Sequence, residues 1–429
     1  MFRRLQRRYG DMVRFTIAGR VVHLVSDPEG AKHVLQDNNR NYVKGRGLEK
    51  TRDLLGEGLL TSEGEYWRRQ RRLIQPIFHR RKIATFGSKM TAATEAMLAR
   101  WQPRANTGEP FDVSEEMMWL TLDIVSKTLF STALNEAEFE TVAEVMRPML
   151  RFATRRITSP FDFMDDWPTP ANLRNRQRQE KLNQIVYRII RERRSSNQTH
   201  DDLLGMLMGA RDEETGAGMD DRQLRDEVMT IFLAGHETTA NLLSFLWALL
   251  AEYAAVRRQL QQELDQQLRG RAPTVDDIPA LTLTNLVIQE TLRLYPPAWI
   301  IGRQSVEADN IAGYTIPPHT GVLISPYIIH RHTGYWRNPE GFDPWRFTEE
   351  RSQDRPRYAF LPFGGGPRLC IGNNFALTEA ALVVATIAQR YDLDLAPDRH
   401  AEVEAAFTLR PKNGVWMTLH ERKNHRSGA

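Results

Sequence analysis

The sequence predicts a mainly α-helical fold with small β-sheets, an α+β architecture in one unit over residues 1–429. Three observations lead there. Apolar residues recur at helical spacing through most of the chain, most persistently from Asp221 to Glu252. β-rich runs are confined to residues 12–26, 297–326 and the last stretch before the tail. No Gly/Ser- or Pro-rich linker divides the chain, although its length alone suggests about three domains.

In chain order, MVRFTIAGRVVHLVS (12–26) reads as a hairpin turning at Ala18-Gly19-Arg20. DPEGAKHVLQDN (27–38) starts a short helix, with Asp27 as N-cap and Pro28 at the first position. Residues 39–64 carry glycines at 45, 47, 56, 58 and 64 and read as loop, so the β-rich N-terminal part covers about 12–60. Helical patterns follow over roughly 65–105, 114–156 and 171–194, broken by DDWPTP (165–170). SSNQTHDD (195–202) and DEETGAGMDD (212–221) are polar connectors. Helices are expected at Asp221–Glu252, 253–269, 283–294 and 372–391. Between the last two, 330–369 is rich in Pro, Gly and aromatics, and so long an irregular stretch points to function. AAFTLR and VWMTLH suggest a terminal hairpin turning at Lys412-Asn413-Gly414. The tail, 421–429, reads as disordered.

Composition excludes several classes. Hydrophobic residues at 41% and charged residues at 26% are ordinary for a globular protein. A single cysteine rules out an internal disulfide and a multi-cysteine zinc site. No apolar run reaches 18 residues, so no transmembrane segment is expected, and no signal peptide is visible. The chain runs straight into structured sequence at MFRRLQRRYG, which leaves a leader or anchor upstream of Met1 open. Net charge is +4, with local clusters WRRQRR (67–72) and HRRK (79–82). Such clusters are most often solvated helix faces, and otherwise bind anionic partners.

The one thiol lies in FGGGPRLCIG, residues 363–372. Glycines there let the backbone approach a ligand closely. Cys370 stands just before a helix, where free N–H groups and the helix dipole lower a thiol pKa. A lone cysteine is ordinarily a buried structural residue, but its neighbours change that balance.

FGGGPRLCIG resembles the cysteine-ligand loop of the cytochrome P450 family, F-G-x-G-x-R-x-C-x-G. Phe363, Gly364, Gly366, Arg368, Cys370 and Gly372 fill every fixed position. Further matches follow in the expected order over essentially the whole chain: WRRQR (67–71), AGHETT (234–239), ETLR (290–293) and DPWRF (343–347). The resemblance implies the cytochrome P450 fold, with haem b (iron protoporphyrin IX) between a long distal helix and a proximal cysteine-loop helix. It implies Cys370 as the iron ligand, Phe363 beside the sulfur, and Gly364 and Gly372 shaping the loop. Arg368, Trp67, Arg71 and Arg303 become contacts to haem propionates. Ala234 leaves space at the distal site. There Thr238 donates a hydrogen bond where dioxygen binds, and Glu237 relays protons. His236 is read as structural. Glu290, Arg293 and Arg346 form a buried triad that holds the long loop before Cys370.

By the same resemblance the substrate pocket draws on Leu48, Leu55, Ile231, Phe232, Trp299, Ile300, Ile301, Phe407 and Thr408. These mostly apolar residues suit a lipophilic small molecule, a terpenoid first and a fatty acid second. Each is equally compatible with core packing. Arg46, Lys50 and Arg52 are candidate anchors for a carboxylate, and DDWPTP lies where the family has its mobile lid.

The implied activity is an O2-dependent monooxygenase fed by a separate ferredoxin, with its reductase, or by a flavodoxin-type donor, docking at Arg68, Arg69 and Arg72. No nucleic-acid partner is indicated; a cytoplasmic monomer is expected. Two other readings stay open: a haem-thiolate enzyme that uses or rearranges peroxide, and a haem-binding gas or redox sensor.

Overall fold

The computed structural model describes residues 1–17, 19–131, 134–158, 167–196 and 200–422. α1 (Phe2–Tyr9) lays Phe2 and Leu5 on Val13, Leu24 and Ile328. β1 (Met12–Ile17) and β2 (Arg20–Val25) form the expected hairpin, with Met12 opposite Val25. α2 (Pro28–Lys32) starts where Asp27 accepts a hydrogen bond from the Gly30 amide, as its N-cap reading requires.

The loop reading of 39–64 needs correction. That stretch holds β3 (Tyr42–Lys44), α3 (Arg46–Glu49) and α4 (Arg52–Leu55). Elements of three and four residues carry too little period to detect. β3 exists because it pairs with a strand far along the chain.

The expected helical stretches resolve into α5 (Gly64–Ile74), α6 (Arg80–Ala84) and α7 (Gly87–Trp101), then β4 (Phe111–Asp112), α8 (Val113–Phe130) and α9 (Glu136–Thr158). α10 (Pro170–Ser195) starts at Thr169, whose hydroxyl accepts from the Asn172 amide. Asp165 and Asp166 of the expected lid lie outside the described residues; Trp167 beside them is exposed. α11 (Leu203–Gly209), capped by Asp202, sits between the two polar connectors.

α12 spans Asp221–Glu252 as expected, because Asp220 caps the Gln223 amide and buried residues run along it from Gln223 to Leu250. It is the central element, packed against α8, α10 and residues further along. α13 (Ala254–Leu268) turns away by 109°. α14 (Thr282–Leu294) then leads into β5 (Ile301–Ser305), β6 (Asp309–Ile311), β7 (Tyr314–Ile316) and β8 (Gly321–Ile324). The 330–369 stretch contains short turns and α16 (Glu349–Ser352), after α15 (Pro326–Ile329). α17 (Asn373–Ala388) follows the cysteine loop and packs on α7, α12 and α14.

The last strands are β9 (Tyr391–Leu395), β10 (Val403–Ala405), β11 (Leu409–Pro411) and β12 (Trp416–Glu421). The terminal hairpin does not form. β11 pairs with β10, while β12 pairs with β9 and β4. The reversal at 412–414 is real, but Asp112 sits at it, accepting from the Val415 amide and capping α8. Both flanking runs then find other partners. Glu421 ends β12 and Arg422 pairs with Asp265 at 2.6 Å; the rest of the expected tail, 423–429, lies outside the described residues.

The main sheet runs β1-β2-β8-β5-β3 and joins the N-terminal strands to the 301–324 segment, with β2 parallel to β8. β3 sets Lys44 opposite Arg303 on β5. No single helix among the described residues is long and apolar enough to cross a membrane.

Candidate active site

The loop carrying Cys370 is shaped by backbone that side chains would obstruct. Gly364 and Gly366 have φ of +74° and +64°, and a Cβ on Gly366 would lie 1.8 Å from the Leu35 carbonyl oxygen. The Cys370 amide donates to the Phe363 carbonyl at 3.0 Å, and the Arg71 guanidinium donates to the Leu369 carbonyl at 2.8 Å. Phe363 is half-buried against the core, and Ile301 lies next to Gly364.

The Cys370 sulfur is accessible, yet protein surrounds it on its other sides. That enclosure pushes the thiol pKa up, against the opposing Gly372 amide and Arg71. The expected depressed thiol is therefore corrected: helix position alone does not outweigh desolvation. A coordinating metal ion would deprotonate the sulfur outright.

A buried triad supports the loop. Glu290 and Arg293 are both inaccessible, with Nε–Oε2 at 2.7 Å and Nη2–Oε1 at 2.8 Å. Arg346 adds a bond to Glu290 Oε1 at 3.0 Å. Arg293 also donates to the carbonyls of His330, Pro339 and Gly341, and Arg346 to those of Arg337, Asn338 and Gly341. His330, neutral because burial pushes it down to about 3, accepts from the Leu361 amide two residues before Phe363. The two guanidinia thus staple the irregular 330–347 segment to α14.

On α12, Ala234 is exposed although Phe232, Leu233, His236 and Glu237 are buried, so a small residue leaves an opening in the packed helix. Thr238 donates back to the Ala234 carbonyl at 2.6 Å, holding its hydroxyl on that turn. Glu237 is buried with Oε2 unpartnered. Desolvation raises its pKa, opposed by Arg410 and the Thr408 hydroxyl. His236 is buried as well and faces α8, where its carbonyl accepts from Thr121, consistent with the structural reading.

The expected propionate contacts divide. Arg368 and Arg303 meet in one cluster, with Trp67 packed 5.1 Å from the Arg368 guanidinium. Arg71 instead serves the Leu369 carbonyl and lies near the thiol. Sequence reasoning missed two members of the cluster, Lys44 and Glu63. Glu63 pairs with Arg368 through both carboxylate oxygens and accepts from the Lys44 amide at 2.6 Å. The buried Lys44 ammonium donates to the carbonyls of Leu59 and Ser62 and is pushed down to about 7, by burial first and by Arg368. Arg303, pushed down to about 10 by burial and by Arg368, spends one donor on the Gly302 carbonyl. Three cations thus face one ionised carboxylate. That surplus fits a ligand bearing two carboxylates, as haem does, and the accessible sulfur fits its iron.

The expected pocket residues also divide. Leu55 and Phe232 are core: Leu55 is fully buried and Phe232 packs on Phe130. Leu48, Ile231, Trp299, Ile300, Ile301 and Phe407 are half-buried. Trp299 donates to the Ala406 carbonyl at 2.9 Å, and the Phe407 amide donates to Thr154 of α9 at 3.1 Å. Thr408 accepts from Asn241 of α12 at 3.0 Å.

An accessible thiol in a loop stapled to the core, a cationic cluster suited to two carboxylates and an acid–alcohol pair on an opened turn of α12 fit a haem-thiolate protein. The chain belongs to the cytochrome P450 family, whose sequence model matches residues 1–417, and haem is its cofactor. It is 40% identical over 389 residues to cyclooctat-9-en-7-ol 5-monooxygenase of Streptomyces melanosporofaciens, covering 91% of this chain and 84% of that one. It is 35% identical over 402 residues to pentalenene oxygenase of Streptomyces avermitilis, covering 94% and 88%. The crystal structure of the cytochrome P450DA heme domain superposes with a TM-score of 0.90 at 29% identity, covering 99% of this chain and 93% of that one. The protein is an oxidoreductase of the monooxygenase type.

Proposed function

We propose that this enzyme inserts one oxygen atom from O2 into a terpenoid-like small molecule, with electrons from a separate ferredoxin- or flavodoxin-type donor in the cytoplasm. The observation that carries the reading is Cys370 in its stapled loop, together with Glu237–Thr238 on the opened turn of α12. When bound, haem with a thiolate ligand supplies the oxygen activation. Burial makes Glu237 keep its proton to higher pH than an ordinary carboxyl, which suits a group that relays protons. Thr238 fixes a hydroxyl beside the Ala234 opening. A peroxide-using enzyme has no need of such a pair.

Two observations favour a terpenoid over a fatty acid. Lys50 donates to the Arg156 carbonyl at 2.9 Å and Arg52 pairs with Glu57 at 3.2 Å, so neither stands ready for a substrate carboxylate. The relatives named above oxidise a cyclooctatenol and pentalenene.

For the donor's docking face, α6 is the better candidate than the cluster at 68–72. Arg68 pairs with Glu65, Arg72 with Asp212 and Glu214, and Arg69 donates to the Gly218 carbonyl. Arg80, Arg81 and Lys82 on α6 are exposed and without an acidic partner among the described residues, and α6 packs on α17, the helix that follows Cys370. An acidic donor fits there.

The deciding experiment is the spectrum of the reduced protein with carbon monoxide, for wild type and Cys370→Ser. A far-red-shifted Soret band, lost in the variant, is expected. A spectrum indifferent to the substitution overturns the assignment. Oxygen-dependent turnover of cyclic terpenes against fatty acids then separates the substrate classes.

A further inference from the structure

Glu63 is the anomaly of the cationic cluster. A cradle for two propionates needs cations, and Lys44, Arg303 and Arg368 supply three. Glu63 sits among them and takes two donors of Arg368 and the amide of Lys44. A second carboxyl lies just behind. Glu227 on α12 accepts from the Leu59 amide at 3.0 Å, while the Leu59 carbonyl accepts from Lys44 at 2.9 Å. Glu227 is fully buried with Oε1 unpartnered. A carboxyl so placed stays protonated, so Glu63 is the resident anion of the cluster.

With both haem propionates present, three cations meet three carboxylates, and the cluster closes neutral. Without Glu63 the same cradle would carry a net positive charge next to the haem edge. Charge inside a protein acts at long range because little water screens it.

We propose that Glu63 is a third carboxylate of the haem cradle that shares Arg368 with a propionate and thereby holds the haem reduction potential down. Lys44 is its counterweight. Neither residue touches the reacting atoms; both act through the charge felt by the iron. An anion near the iron favours the ferric state, and a cation favours the ferrous state. The proposal rests on the haem assignment above, which the carbon-monoxide spectrum of each protein checks separately.

The test is an anaerobic potentiometric titration of haem-loaded wild type, Glu63→Gln, Glu63→Asp and Lys44→Gln. Gln keeps an acceptor for the Lys44 amide, so the fold is preserved while the charge is removed. The expected result is a positive shift for Glu63→Gln, about tenfold in the ferrous-to-ferric ratio at fixed potential, or about 59 mV for one electron. Glu63→Asp stays near wild type, and Lys44→Gln shifts in the opposite direction. Haem is retained in Glu63→Gln at least as tightly as in wild type, since a competitor for Arg368 is gone. Unchanged midpoints, shifts of the same sign in Glu63→Gln and Lys44→Gln, or haem lost from Glu63→Gln would each overturn the proposal. A wild type with no far-red carbon-monoxide band would instead sink the haem assignment itself.

Discussion

Lys44, Glu63 and Arg368 come from three distant parts of the chain and touch in the fold. Cys370, Phe363 and Arg368 were legible because their spacing is local and fixed by one tight loop. Lys44 and Glu63 were not, since a lysine ending a short strand and an acid before a helix are ordinary surface residues until tertiary pairing buries them. The same burial acts on Glu227, which holds its proton to about 8 against a usual 4.5. Between those pH values the folded protein binds more protons than the unfolded chain, so stability falls as pH rises through that window. The lowered His330 and Lys44 titrate alike in wild type and in a Glu227→Gln variant, so the difference between the two over pH 5 to 7 reports Glu227. Urea unfolding across that range should show wild type losing stability relative to Glu227→Gln. The loss is on the order of 1.4 kcal/mol for each pH unit crossed. Parallel pH profiles would show that Glu227 ionises normally.

At the scale of elements, α12 was readable with its bounds, because a cap and a long periodic run agree. The terminal strands were misread because turn residues report a reversal and not the partner each strand takes. β3 and the helical turns after it were missed for lack of length. The irregular 330–369 segment is held by side chains in place of a backbone ladder, and the triad predicts how it fails. Glu290→Gln leaves two buried guanidinia without their anion. Breaking a buried pair in this way costs about 3–5 kcal/mol. Chemical denaturation should show that loss, accompanied by reduced haem content, since His330 and Leu361 link the triad to the cysteine loop. A variant with wild-type stability and full haem would remove the triad's role.

Across the whole molecule, the charge that matters for electron delivery is the charge left unpaired. WRRQRR carries more arginines than HRRK, yet acids pair Arg68 and Arg72 while carbonyls engage Arg69 and Arg71, and no linear count reveals that. Replacing Arg80, Arg81 and Lys82 with glutamine should slow reduction by an acidic ferredoxin about tenfold at low salt and flatten its ionic-strength dependence. Replacing Arg68 and Arg72 should leave the rate within about twofold. The opposite ranking, read by stopped-flow reduction, would return the docking face to α5.

β12 lies between β4 and β9 and is the last strand of the described chain. During synthesis, β4 and the start of α8 emerge long before the strand that covers them, and Asp112 waits for the Val415 amide across 303 positions. The nascent chain must therefore carry an open sheet edge until β12 has emerged. The ligand loop at Cys370 leaves the ribosome before that edge is sealed. Closure of this sheet thus waits on β12, and a ribosome stalled before residue 416 would hold a chain unable to complete it.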